Sequence, residues 1–449
     1  MSVIFRFPGS LWLGGFLAIS GALWGQTSVA PQGGEFSILG SIPGDQVWPT
    51  VSLSATGGCI AWQDTAIDKA GGGLGGAMLN TSIEAGHTFR VNNTTIGNHF
   101  RPKVQLLAND NLLFVWESSA AGTPNIYARF AKNAPSKKSS TDETNFYGTN
   151  FYTGDTRVNT YVAGQHADPA VAALPDGSAI IVWSSYGQDG SMYGVFARRL
   201  KSTGAGATAK EFQVNQFTAN NQRNPAVAAL PNGNYVIAWI SEHERSATSV
   251  DVYARIYTDA GVPLTDEIPI NSGATPYSGQ YYAAGVFQTG EAPVNSSTSP
   301  CSSPAIAALG DGGFTVVWAQ KDTVTTTNGW DIWGRAFSAS GMPLGADFGI
   351  NTYLYGDQYQ PKIAAGPGGS LVVWTSLNED GSREGVYGRF LAGGTTVSGG
   401  EFRVNTSTIS QQMHPSVAWD GVGHFLVVWT SFTGQQGFDL FGQLYVLSP

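Results

Sequence analysis

Seven prolines in this chain are each followed, 13 or 14 residues later, by a tryptophan: Pro49/Trp62, Pro102/Trp116, Pro169/Trp183, Pro225/Trp239, Pro304/Trp318, Pro361/Trp374 and Pro415/Trp429. The intervening residues are alike, as in Pro169-AVAALPDGSAIIV-Trp183 and Pro225-AVAALPNGNYVIA-Trp239. Self-similarity at a period of about 50 residues marks a repeat architecture, in which no unit can bury its apolar surface alone.

The third repeat shows what one unit is. Pro169 to Leu174 is a short apolar strand, and a proline is tolerated at its start because that residue need not donate to the ladder. Pro175-Asp-Gly177 is a turn. Ala179 to Trp183 is apolar throughout and reads as a buried strand; Tyr193 to Arg198 alternates and is a third; Glu211 to Asn215 is a fourth. Four antiparallel strands joined by tight turns make a blade with two faces to bury, and radial stacking buries both. The tryptophan is expected at the blade-to-blade contact, with its N–H on a neighbouring carbonyl.

The outer-strand motif also occurs seven times: Phe36-Ser-Ile38, Phe89-Arg-Val-Asn92, Arg157-Val-Asn159, Phe212-Gln-Val-Asn215, Ile268-Pro-Ile-Asn271, Phe348-Gly-Ile-Asn351 and Phe402-Arg-Val-Asn405. Its first copy precedes the first Pro/Trp unit, and no copy follows the last. The strand count therefore balances if Glu35–Leu39 completes the blade built from Pro415 to Tyr445, which also removes an open edge. The expected fold is all-β: a seven-bladed β-propeller of four-stranded antiparallel blades, closed by the N-terminal strand. Blade cores fall at about 46–92, 98–159, 165–215, 222–271, 302–351, 358–405 and 412–446 plus 35–39.

Composition narrows the setting. The 449 residues include 58 glycines, only 12% are charged, and the net charge is -9. No basic stripe could follow a phosphate backbone, so nucleic acid is not an expected partner. Arg6 is the sole charge before Glu35, and an apolar run from Leu11 to Trp24 follows it. Residues 1–30 read as an export signal, cleaved after Gly25 or Ala30, and 31–449 as one domain. The first cysteine is Cys59, so no lipid-modified N-terminal cysteine is expected, and no second apolar span is present. The expectation is a secreted, periplasmic or extracellular protein. Cys59, in a strand of blade one, and Cys301, in a loop before blade five, are expected to be unpaired.

The string from Leu174 to Asn215, LPDG…IIVW.S.GQDGS..GV.AR…G…EFQVN, resembles the roughly 50-residue repeats of large secreted bacterial proteins that accompany calcium-binding or adhesin-type modules. The third strand repeats it as Tyr127-Ala-Arg129, Tyr253-Ala-Arg255, Trp333-Gly-Arg335 and Tyr387-Gly-Arg389. Blade one lacks the arginine and blade seven has Gln443 instead. The resemblance implies an extracellular propeller and carries no catalytic residue.

Propellers commonly place function on the face where outer strands lead to the next inner strand, which points to the residues just before each proline. These are Trp48, Arg101, Asp168, Asn224, Ser303, Gln360 and His414. His99 and His166 are expected on the same face, as are Tyr277, Tyr281 and Tyr282 on the long insertion between Ser272 and Ser303. Gln46, Asn98, Gln165, Gln222, Gln358 and Gln411 recur nearby, and the plain alternative is that such residues cap turns. No metal site is assigned. Asp189-Gly-Ser and Glu379-Asp-Gly-Ser look like calcium-loop fragments, but each offers two or three of the six or so oxygens that calcium takes. The favoured reading of both is a glycine turn whose aspartate bonds its own backbone. GxSxG, HExxH and the P-loop are absent. The expected activity is recognition of a glycan or a cell-surface partner. A glycoside hydrolase or polysaccharide lyase is the alternative, with Asp168 paired to Glu242 or Glu379 across the channel, and a structural surface component is the third reading.

Overall fold

The computed structural model describes residues 28–68, 71–132, 151–201, 210–271, 282–283, 286–287, 299–322, 329–434 and 437–448. They form seven four-stranded antiparallel sheets in a ring, with no helix among them. The third blade is typical: His166–Ala173 lines the axis, Ala179–Tyr186 and Tyr193–Leu200 follow, and Phe212–Gln213 is the short outer strand. The seventh blade is made from both ends of the chain. Gln412–Trp419, His424–Phe432 and Phe438–Ser448 are followed by the N-terminal strand Ser28–Ser37.

That seam strand is longer than expected. Val29 pairs with Leu447, Ala30 with Val446 and Pro31 with Tyr445, and after a shift Phe36 pairs with Gly442. Residues 30 and 31 both lie within this strand, and Val29 and Leu447 pack against the core shared by blades six and seven. Residues 1–27, which hold most of the expected export signal, lie outside the described residues. Cys301 is also displaced from its expected loop: it opens the inner strand Cys301–Ala308 of blade five. Both cysteines are buried and free.

The Pro/Trp spacing is a cross-strand relationship. In blade three Ala167 pairs with Ser184 and Ala170 with Val182, so Asp168 and Pro169 together face Trp183. The same bulge, two residues against one tryptophan, occurs in all seven blades. Proline suits it because the bulged residue donates no ladder hydrogen bond. The shorter spacing in blades one and six reflects two-residue hairpin turns, Ala55-Thr56 and Pro367-Gly368. Each indole is fully buried, in a cluster shared with the preceding blade; Trp239, for example, lies among Leu174, Ile180 and Val182 of blade three. The indole N–H groups do not reach neighbouring carbonyls as expected. Trp62 donates to Asp64 (2.8 Å) and Trp318 to Gln320 (3.2 Å), each two residues along the same strand. The other five have no partner among the described residues.

Polar staples join the blades. The motif asparagine accepts a backbone N–H from the second or third residue of the third strand of its own blade, at 2.6–2.9 Å, in each of blades one to six. The third-strand arginine reaches back to the previous blade: Arg129 donates to the Val91 carbonyl, Arg198 to Val158, Arg255 to Val214, Arg335 to Ile270 and Arg389 to Ile350. The missing arginines of blades one and seven leave the two interfaces of the seam blade without this staple. An acid before the outer strand accepts two backbone N–H groups from the previous blade, as Glu211 does from Thr160 and Tyr161. Glu35 does the same at the seam, from Thr406 (2.6 Å) and Ser407 (3.2 Å).

Candidate functional site at the channel mouth

The bulge determines where the pre-proline side chain points. Trp48, Arg101, Asp168, Asn224, Ser303, Gln360 and His414 all have φ between 47° and 56°. Left-handed backbone costs a non-glycine residue about 1–2 kcal/mol, and a following proline ordinarily favours extended backbone. Seven such residues, none of them glycine, form one ring. Bulges re-aim side chains, and here all seven line a single cavity of about 380 Å³ on the axis. Uniform scaffold positions lie beneath seven different side chains at this one position.

The ring has two unlike halves. On one, the Trp48 indole stacks on the His414 imidazole across the blade seven/blade one junction, with ring centres 3.7 Å apart and planes 18° from parallel. Burial, with Lys362 nearby, pulls the His414 pKa down to about 4, so the stack is uncharged at neutral pH. Its Nδ1 and the Oε1 of Gln360 are buried and have no partner among the described residues. On the other half, one nitrogen of Arg101 bonds both Asp168 (2.7 Å) and Glu117 (3.2 Å). Glu117 also accepts the Asp168 N–H at 2.8 Å, holding that left-handed residue from the next blade. Ser184, the corresponding residue after Trp183, holds the Asn224 N–H at 3.1 Å. Burial pushes the Glu117 carboxyl above its usual range, and Arg101 opposes the shift.

Asp168 therefore pairs with Glu117, not with Glu242 or Glu379. Glu242 bonds Arg223 (2.8 Å) and Asn221, and Glu379 faces Glu401. His99 and His166 are buried at 1% and 0% exposure and are absent from the cavity wall. They stand three residues before the proline, where Gln46, Gln222, Gln358 and Gln412 stand in other blades. That position looks into the blade interface: Gln222, Gln358 and Gln412 each accept from the motif asparagine of the previous blade and donate to a loop carbonyl. Tyr277 and Tyr281 lie outside the described residues. Tyr282 belongs to a two-strand ribbon, Tyr282–Ala283 with Val286–Phe287, and its side chain is not among the described ones. Asp189 and Asp380 accept the N–H of Ser191 and Ser382, each at 3.1 Å, the backbone-bonded turn anticipated for such fragments.

Two residues of the cavity escaped the sequence reading. Lys103 and Lys362 directly follow their prolines, where the other blades carry Thr50, Ala170, Ala226, Ala305 and Ser416. Burial depresses both, Lys362 to about 7 with Lys103 adding to the effect; Asp168 and Glu117 partly offset it at Lys103. Aligning the repeats one residue further would have exposed them.

No family model and no curated protein matches this sequence. Among solved structures, the chain superposes on polysaccharide lyase Uly1 with a TM-score of 0.52, at 10% identity, over 88% of this chain and 89% of that one. A protein of unknown function from Dyadobacter fermentans DSM 18053 gives 0.49 at 10% identity, over 94% and 99%. An alpha-L-arabinanase of Penicillium chrysogenum, complexed with arabinobiose, gives 0.49 at 13%, over 76% and 92%. At these identities the likeness is one of fold, and the chain is a seven-bladed β-propeller.

Proposed function

We propose that the channel face of this protein, exported by its N-terminal leader, binds a glycan. One observation carries the reading: seven chemically different pre-proline side chains, each on costly left-handed backbone, converge on one cavity. Left-handed backbone kept at one position of every repeat, while the side chain there changes from blade to blade, supports a binding surface. Sugars suit the wall because the flat Trp48–His414 face offers apolar contact, while Arg101, Asp168, Asn224 and Gln360 offer directional hydrogen bonds. A screen of the purified protein against glycans and cell-envelope components tests it. Binding that Trp48→Ala weakens at least tenfold is expected. No binding to any glycan sinks the reading.

A lyase is the second reading, favoured by Lys362 beside His414: an amine with a pKa near 7 can serve as a base inside a cavity. Hydrolysis is less favoured, since it needs a free acid and a free carboxylate and Arg101 holds both Glu117 and Asp168. Incubation with uronate polysaccharides distinguishes the two readings of the site. Binding alone predicts no unsaturated, ultraviolet-absorbing product and no new reducing ends.

A further inference from the structure

Lys103 and Lys362 stand on blades two and six, the widest separation that a ring of seven allows, so they enter the cavity from opposite walls. The electrostatic influence of Lys103 nonetheless reaches Lys362. No carboxylate lies within ion-pairing distance of either ammonium among the described residues. Asp168 and Glu117, the acids nearest Lys103, are already bonded to Arg101. Lys362 has no acid among the groups acting on it. The fold does not call for lysine here, since Ala170, Ala226, Ala305 and Ser416 occupy the same position in other blades. Two half-buried like charges facing one cavity repel each other unless something negative comes between them.

We propose that Lys103 and Lys362 form an anion site in the throat of the channel, which seats the acidic group of a saccharide while its ring rests on Trp48 and His414. This deepens the glycan reading and rests on it for the saccharide, though not for the anion. The acidic group is a uronate carboxylate or a sulfate ester, both of which lysine binds as a point charge. The other titratable groups of the cavity wall are His414, Lys103, Arg101 and Asp168. An arriving anion draws a proton onto Lys362, so affinity rises as pH falls from 8 to 6.

Calorimetric titration at constant ionic strength provides the test, with four probes: inorganic sulfate, a glucuronate oligosaccharide, a sulfated oligosaccharide and a neutral oligosaccharide. Lys362→Ala, Lys103→Ala and Trp48→Ala are compared with the wild type, and melting temperatures confirm that each variant folds. The expected result is a loss of at least tenfold in affinity for sulfate and for whichever acidic saccharide binds, in both lysine variants, with the neutral probe unaffected. Carboxylate-only or sulfate-only binding identifies which acidic group is used. Sulfate binding that depends on the lysines, with no saccharide bound, sustains the anion site and overturns the glycan reading. Sulfate and acidic saccharides that fail to bind, or that bind the variants as they bind the wild type, overturn the anion site.

Discussion

The indole of Trp48 lies flat against the imidazole of His414, 3.7 Å between ring centres, where the first blade meets the last. Both residues precede a bulge proline on left-handed backbone. The contact therefore joins the two ends of the repeat array at the cavity itself. Blades one and seven also lack the inter-blade arginine, so the ring contact supplements a junction that, like the one between blades six and seven, has no arginine staple.

This stack makes the fold acid-sensitive. His414 titrates at about 4 in the folded chain, and burial lowers His99 and His166 as well. An unfolded histidine takes its proton near pH 6.5. Their stabilising contribution is therefore complete above about pH 6.5 and declines toward pH 4. Melting temperature against pH is expected to fall across that window. His414→Gln should flatten the fall, removing on the order of 2 kcal/mol of its depth. Superimposable wild-type and variant curves would show that His414 is not buried as a neutral ring.

Glu379 gives the opposite dependence. Burial and Glu401 raise its pKa to about 8. The same position in blade three holds Gln188, whose amide donates to Glu211 at 2.7 Å while Ser185 donates to its carbonyl at 2.7 Å. A protonated Glu379 reproduces that arrangement toward Glu401. Stability from this group is complete below about pH 4.5 and lost as pH rises through 8. Glu379→Gln is expected to be near neutral at pH 5 and stabilising by about 2 kcal/mol at pH 9. Denaturant titrations at the two pH values check the sign.

Glu35 ties the N-terminal strand to blade six through Thr406 and Ser407. Glu35→Ala leaves two N–H groups without their acceptor and should cost about 1–2 kcal/mol. The loss should be localised, so limited proteolysis is expected to release the Ser28–Ser37 strand before it cuts any other blade. Uniform loss of protection around the ring would contradict a seam held by this clamp.

On the proposed function, the pre-proline ring trades stability for ligand contact. Asn224→Gly should leave stability unchanged or raise it by up to about 1 kcal/mol, because glycine adopts φ near 52° without a Cβ penalty. Asn224→Ala should lower it by a similar amount. Both should weaken ligand binding alike, since both remove the amide. Chemical denaturation and the binding assay, run together, separate the two effects.

Internal repetition carried most of the fold into view. Each Pro169-to-Asn215 unit repeats the same apolar strands and turn residues, and the unmatched Phe36-Ser-Ile38 requires a partner blade, so blade number and closure follow from counting. Local chemistry determines such features, because turn residues and strand alternation act over a few positions. The pre-proline residues were legible for the same reason: they vary where their surroundings do not.

Tertiary structure decided the rest. His99 and His166 resemble site residues in the sequence, yet three positions before the bulge the backbone turns them into the blade interface. Lys103 and Lys362 lie 259 positions apart in the sequence, and it is ring closure that brings them to one cavity. Glu117 follows a tryptophan in one blade and holds Asp168 of the next. The Pro/Trp spacing by itself revealed a repeat; only the paired strands show that it marks a bulge opposite an indole, which turns seven side chains onto the axis. Contacts of this kind depend on the register between strands and on the angle between blades, and both are set by the packing of the closed ring.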